Sequence, residues 1–367
     1  MRERYQVPIG MEIATQWAWR VLVIASAVLL GVFFLRYFSE ITVPIAVAVL
    51  VTALTINAVD WLQAHGVPRL AATFVVVITG LVAFFGMLAL VGQQLATQAT
   101  DLRTSVVDGI SKIQDWAKTG PLKLSDDQIQ TWIDNAKESI QTSDTSLITR
   151  VGEVGSTLTH LLAGFFIALF STFFFLYEGS RIWSWVVALF PRGARDRVNS
   201  SGHTAWASLT AFVRATVIVA LTDAMGIAFG AWVLGVPLTF AIGVLVFLGA
   251  FIPIIGALLS GMVAVLVALV AQGPWTALFM LVIVIFIQQL ESHVLQPFLM
   301  GRLVAVHPLA IIFAITAGVV VAGVVGALIA VPLAACLNGV VRHLATVAEE
   351  YEDEPPDDGA QPLPGLA

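Results

Sequence analysis

The run QQLESHVLQPFLMGR, residues 288–302, sets carboxylate, imidazole, amide and guanidinium groups between long apolar stretches. Before it the chain is apolar over 237–271 and 274–287, and after it over 308–341. A straight bilayer crossing takes about 20 apolar residues. The first and last of these stretches, 35 and 34 residues, are too long for that. Each is also punctuated inside. Phe251-Ile252-Pro253-Ile254-Ile255-Gly256 breaks the first, and Gly318, Gly323, Gly326 and Pro332 break the second. Such residues free backbone groups that lipid cannot satisfy, so the breaks survive only where protein covers them or a cavity receives them. Two interrupted segments in corresponding places point to a transporter's binding site. Each segment reads either as a long tilted helix or as a re-entrant hairpin.

Composition sets the class. The 367 residues are 58% hydrophobic and 11% charged, where a soluble domain of this length carries about a quarter charged residues. Most of the chain is therefore solvated by lipid. The net charge of −6 belongs to the end of the chain, where seven acids fall between Glu349 and Asp358. It says nothing about the partners of the membrane body and gives no footprint for nucleic acid. Cys336 is the only cysteine, so there is no internal disulfide and no cysteine-based metal site. The first apolar run lacks a cleavage site of the A-x-A type and reads as a retained membrane helix.

Outward from the opening run, the expected fold is an all-α integral membrane protein with about eight transmembrane segments, two of them long and broken or re-entrant, plus an extramembrane helical hairpin. Residues 1–92 hold spans 1–3, at 17–35, 41–59 and 70–92. Residues 93–150 turn polar but keep helical spacing. Leu102, Val106, Ile110 and Ile113 form one stripe, and Ile129, Trp132, Ile133, Ala136 and Ile140 form another after the breaker Gly120-Pro121. Ser125 and Gln128 open the second arm as a capping box. This is an amphipathic hairpin whose apolar face seeks the hairpin itself, the membrane surface or another subunit. Residues 151–347 form the transport core. Within it 178–202 is a basic connection, with Arg181, Arg192, Arg195 and Arg197 beside the interfacial stretch Ile182 to Phe190. Positive charge in short loops marks the cytoplasmic side. That places 93–150 outside and both termini inside. Residues 348–367, acidic and proline-rich, read as a disordered tail.

Three constellations carry chemistry. Asp223 in the fifth span shares a helical face with Gly226 and Gly230, at i+3 and i+7. Small residues at that spacing let another helix approach closely. A carboxylate on the same face therefore lies in a protein interface, where it serves either as a proton- or cation-coupling group or as a hydrogen-bonded packing acid. At mid-depth in lipid it would cost at least about 2.5 kcal/mol. Arg214, nine residues away, falls on the opposite face and reads as an anchor at the membrane surface. The second constellation is the stripe Gln289, Ser292, His293 and Gln296, with Gln288 and Glu291 on a neighbouring face and Pro297 ending the helix. These groups suit a polar solute, and Glu291 and His293 are able to exchange protons near neutral pH. Alternatively the helix ends here and its side chains meet water or headgroups. Gly301-Arg302 follows, with Arg302 suited to an anionic group or to lipid phosphate. The breaks at Pro253, Gly256, Gly323 and Gly326 are the third.

No enzyme signature, metal motif or cofactor fingerprint is present: there is no H-E-x-x-H, G-x-S-x-G, Walker loop or dinucleotide glycine motif. Transport by this chain would be secondary. Several stretches in order resemble the autoinducer-2 exporter family of bacterial permeases. They are Gly235-Val236-Pro237, the Phe251 to Gly256 break, Gln288-Gln289 through Glu291 to Gln296-Pro297, Met300-Gly301, His307-Pro308, and Gly323-Val324-Val325-Gly326 to Ala330-Val331-Pro332-Leu333-Ala334. The match is specific over about 205–345 and looser before it. Where the family often carries a Gly-Gln pair after the fifth-span arginine, Arg214 is followed here by Ala215-Thr216. The resemblance implies a homo-oligomeric permease of the bacterial cytoplasmic membrane that exports a small polar solute, autoinducer-2 by name. It also implies sodium(lithium)/proton antiport as an alternative. A non-transporting membrane scaffold is a third expectation, and the partners are lipid, a small polar solute and a proton or sodium ion.

Overall fold

The structure is a computed structural model that describes residues 9–119, 147–252, 255–295 and 308–353. These residues form helices and short turns. The helices are α1 (Ile9–Tyr37), α2 (Ser39–Ala64), α3 (Arg69–Thr119), α4 (Leu147–Ala188), α5 (Arg195–Val233), α6 (Thr239–Gly249), α7 (Ile255–Gln272), α8 (Pro274–Leu290) and α9 (Pro308–Asp353). Among the described residues, eight helical segments are long and apolar enough to cross a membrane. The all-α membrane architecture expected from composition is the one observed.

Boundaries differ in instructive ways. The third span and the first polar arm after it are one helix of 51 residues. At 1.5 Å per residue it is about 76 Å long, more than twice the hydrocarbon thickness. Its sequence has no proline at the change from apolar to polar, and the single Gly92 there is carried within the helix. Residues 120–146, which include the capping box and the stripe of the expected second arm, lie outside the described residues, as does 354–367 of the acidic tail. The fourth span and the interfacial stretch are also merged, with one non-helical residue between them at Glu178 (φ −121°).

Buried apolar residues form three clusters, and α5 runs through two of them. Ala224, Ile227 and Ala231 of α5 pack with Ile242 and Val246 of α6, Ala264 and Ala268 of α7, and Met280 and Val284 of α8. Leu209, Phe212 and Val213, lower on the same helix, pack with Ala53 of α2 and with Ile315, Ala327, Val331 and Ala335 of α9. Val59, Ala72, Val76 and Leu176 join α2, α3 and α4. Alanine recurs at these contacts because in lipid, helices associate through close backbone approach, with no hydrophobic drive between them. By contrast α1 buries nothing: its described side chains from Met11 to Tyr37 are all exposed.

Both interrupted segments double back. A Cβ built on Gly256 would fall inside the Gly249 carbonyl group, so the end of α6 and the start of α7 touch backbone to backbone. Within α9, Ala322 (φ −141°) and Gly323 (φ 59°) leave the helix. Gly318 there lies against Gly326, and a Cβ on it would meet the Ala330 methyl at 2.9 Å. In an unbroken helix residues 318 and 330 would stand about 18 Å apart. The chain must reverse between them, and a residue with φ +59° at the bend favours glycine.

The turn that launches α6 is held by side chains from α3. Gly235 (φ 68°) and Leu238 (φ 59°) both adopt left-handed backbone, which is uncommon for leucine. The Leu238 N–H donates to Gln98 Oε1 at 2.8 Å and the Ala241 N–H to Gln94 Oε1 at 2.9 Å. Gln272 donates to the Gly235 carbonyl at 2.6 Å. The two α3 glutamines, four residues apart on one face, satisfy amides that a helix start leaves bare. Replacing either Gln94 or Gln98 by alanine is expected to cost about 1–2 kcal/mol by orphaning a part-buried donor. Thermal unfolding of the purified protein in detergent checks this, and an unchanged midpoint for both variants would contradict it.

Candidate functional site

Asp223 is the one charged residue buried among the described residues, at 2% exposure. Its position follows from the contact between α5 and α8. A Cβ on Gly230 would meet Ile283 Cγ2 at 2.6 Å, and one on Gly226 would meet Ile287 Cδ1 at 2.6 Å. Position falls on α8 as it rises on α5, so the two helices run antiparallel. One turn further along the same register, the Asp223 side chain comes beside that of Glu291. The Oδ1 atom of Asp223 has no partner. The glycines expected to admit a neighbouring helix thus admit α8, with isoleucine side chains seated in the notches.

At Glu291 the helix changes form. Glu291–Leu295 is a π-helical turn, a distortion found disproportionately at functional sites. Its register turns Gln288 and Glu291 toward the protein, both half-buried. Gln289, Ser292 and His293, which the helical spacing groups as one stripe, are exposed instead. They are engaged locally: Ser292 Oγ donates to the Gln288 carbonyl at 2.8 Å, and His293 Nδ1 lies 3.1 Å from the Gln289 carbonyl. The polar face that meets other helices is therefore the neighbouring one. Gln296, Pro297, Gly301 and Arg302 lie outside the described residues, as does Pro253.

Arms of both breaks pack on α5. Gly243 of α6 packs against Ala228 and Ala224 of α5, so α6 descends along α5 toward the level of Asp223. Ile252, just past the end of α6, packs into the cluster that contains Ile315 and Ala327 of α9. Gly256 is buried, and Ser260 Oγ donates to its carbonyl at 2.8 Å. Gly326 lies against Gly318 across the second bend. The arrangement brings together Asp223 and Glu291, and sets arms of both bends against α5. Arg214 is exposed, on the far side of α5 from Asp223. No group of three His, Cys, Asp or Glu able to hold a metal ion occurs among the described residues.

Sequence reasoning reached Asp223 and Glu291 separately but missed that they meet. The signal was available: Gly226 and Gly230 identify the notched face, and Ile283, Ile287 and Glu291 repeat every four residues on α8. It also missed Gln94 and Gln98, whose spacing looks like any polar helix surface until the α5–α6 turn is beside it.

Comparisons with known proteins agree with this architecture. The AI-2E family transporter description matches residues 22–346. A Mycobacterium tuberculosis protein named "Putative transport protein" is 42% identical over 328 residues, covering 89% of each chain. A similarly named protein of Bacillus subtilis, YrrI, is 27% identical, covering 85% of this chain and 89% of its own. The Escherichia coli "AI-2 transport protein TqsA" is 23% identical over 82% of this chain and 85% of its own. A match across nearly the whole length, spanning the notched helix, both bends and the polar run, shows that the chain is a membrane protein of the AI-2E transporter family.

Proposed function

We propose that the chain is a secondary permease that exports a small polar solute by alternating access. By likeness to the relative named for it, the cargo is autoinducer-2 or a related small molecule. The observation that carries this reading is the buried Asp223 beside Glu291, on a helix against which arms of both doubled-back segments pack. An acid inside a membrane protein is costly and marks ion pathways and proton relays. Asp223 or Glu291 supplies the coupling carboxylate. The bends at Pro253–Gly256 and Gly323–Gly326, with Gln288 to Arg302, form the solute path.

The reading includes topology. The arm Thr239–Gly249, at 11 residues, spans about 16 Å, or half a hydrocarbon core. Segments 237–271 and 308–341 are then re-entrant, and the π turn of α8 approaches the cytoplasmic side. The protein is a homo-oligomer of the bacterial inner membrane with both termini cytoplasmic. Residues 93–150 stand outside.

Purified protein in liposomes tests the function. Outward-loaded autoinducer-2 should cross in a protein-dependent manner, with flux falling at least about tenfold in Asp223→Asn or Glu291→Gln, as for loss of a group needed in each cycle. Normal flux and normal pH dependence in both variants would defeat the coupling assignment.

A second reading, sodium/proton antiport, is favoured by a specific observation: the buried ionisable group among the described residues is a carboxylate with a carboxyl partner. It predicts that sodium alone collapses a pH gradient in the same liposomes. A scaffold role instead predicts silent variants at 288–302 and loss of function on removing 100–145.

A further inference from the structure

The short arm α6 has little of its own to hold its start. Its sequence, Thr239–Gly249, is apolar apart from Thr239, whose hydroxyl donates back to the Val236 carbonyl at 2.9 Å. Leu238 stands at the N-cap with a left-handed φ of 59° and no side chain able to cap. Amides at a helix start lack intrahelical acceptors, and two of them are met here from α3. The Leu238 N–H donates to Gln98 Oε1 and the Ala241 N–H to Gln94 Oε1. A backbone N–H only donates, so it is the oxygen of each side-chain amide that faces it. Between Gly92 and Gln98, Gln94 and Gln98 alone are half-buried, and the residues around them are exposed. The far end of the same doubled-back segment closes at this turn too, where Gln272, the last residue of α7, donates to the Gly235 carbonyl.

The two glutamines do something that the packing of α6 does not. Ile242 and Val246 are buried against α5, α7 and α8, and Gly243 lies against Ala228. These contacts are apolar and carry no direction, so they hold α6 to its neighbours but do little to fix its place along its own axis. Hydrogen bonds weaken steeply when misaligned, so the pair from α3 sets that place. The arm is 11 residues, about 16 Å, and a single helix passes a shift at one end to the other. At that other end lies the contact of Gly249 with Gly256, where backbone touches backbone and no side chain can take up slack.

We propose that Gln94 and Gln98 are positioning residues: they brace the first doubled-back arm from α3 and so set the place of the Gly249–Gly256 bend. The brace makes α6 and the polar part of α3 move as one unit. It stands on the hydrogen bonds. Its effect on transport rests on the permease reading above.

Hydrogen exchange of the full-length purified protein, read by mass spectrometry, tests the brace. In the double variant Gln94→Leu/Gln98→Leu, amides of 238–249 should exchange at least about tenfold faster than in the wild type, while those of α2 and α4 keep their rates. In Gln94→Glu/Gln98→Glu the acceptor oxygens remain, and negative charge suits a helix start, so exchange should return close to the wild-type rate. Unchanged exchange over 238–249 in the double leucine variant overturns the brace. So does a rise spread evenly over the chain, which reports lost stability and nothing local. Autoinducer-2 flux in liposomes, measured below the unfolding midpoint, reads the positioning role. It should fall severalfold in the double leucine variant and recover in the double glutamate variant. Faster local exchange with full flux overturns that role. A wild-type protein without flux would defeat the permease reading while the exchange pattern still decides the brace, so the two failures are distinguishable.

Discussion

Gly256→Ala and Gly326→Ala should each collapse the region around the bends, while Gly80→Ala and Gly86→Ala should leave the protein at least as stable as before. The difference lies in what a methyl group meets. At Gly80 and Gly86 it meets nothing within 4 Å, on a helix that alanine favours over glycine. At Gly256 it would enter the Gly249 carbonyl, and at Gly326 the Gly318 carbonyl. Overpacking against a side chain costs about 1–3 kcal/mol because the neighbour rotates away. A carbonyl group within a helix has no rotamer to change. The arms must separate, which undoes the burial of Ser260 beside the first bend or of Ala330 beside the second. The expected loss is at least about 3 kcal/mol, a large share of a typical folding stability. Thermal unfolding in detergent reads it as a fall in midpoint or a separate early transition, accompanied by loss of flux. A midpoint within a degree or so of wild type would mean that the backbones do not touch.

These bends also show what was legible in the sequence. The apolar length and the interruptions are local properties, so the class, the count of spans and the places of both breaks could be read directly. Whether a break continues or reverses is decided by what the second arm packs against, and that partner is distant in sequence. Gly318 and Gly326 permit a close return, but Leu209, Phe212 and Val213 receive Ala327 and Val331, and only the structure places them together. The polar run shows the same limit at finer scale. Helical spacing groups Gln289, Ser292, His293 and Gln296 on one face, and the first three are exposed. It gave no means of choosing between that face and the one with Gln288 and Glu291. That choice is made by Gly226 and Gly230 on another helix, into which Ile287 and Ile283 fit, carrying Glu291 inward by one further turn. Where the third span ends was hidden for a different reason. A change of polarity alone does not stop a helix, and α3 carries the lone Gly92 from its apolar into its polar part without ending.

The carboxyl pair allows stability to be separated from function. In Glu291→Met, Asp223 stays buried with neither oxygen bonded, which should cost about 1–3 kcal/mol, and more if it remains charged. In Asp223→Leu, the survivor is Glu291, half-buried beside an exposed turn, and it can swing toward water at lower cost. The double variant removes both polar groups and leaves Leu beside Met between two apolar helices. Replacing a buried polar pair by groups of similar volume is often neutral. The expected order of unfolding midpoints is therefore Glu291→Met lowest, Asp223→Leu next, and the double variant near wild type. The coupling between the two sites should have the sign of a direct contact, as a double-mutant cycle reads it. Flux should not follow that order. If the pair exists to hold a proton, the double variant is well folded and inactive, and restoring stability restores nothing else. A packing acid, in contrast, would give a double variant that recovers both. Measured on the same preparations, midpoint and flux separate a site kept for its proton from one kept for its fit.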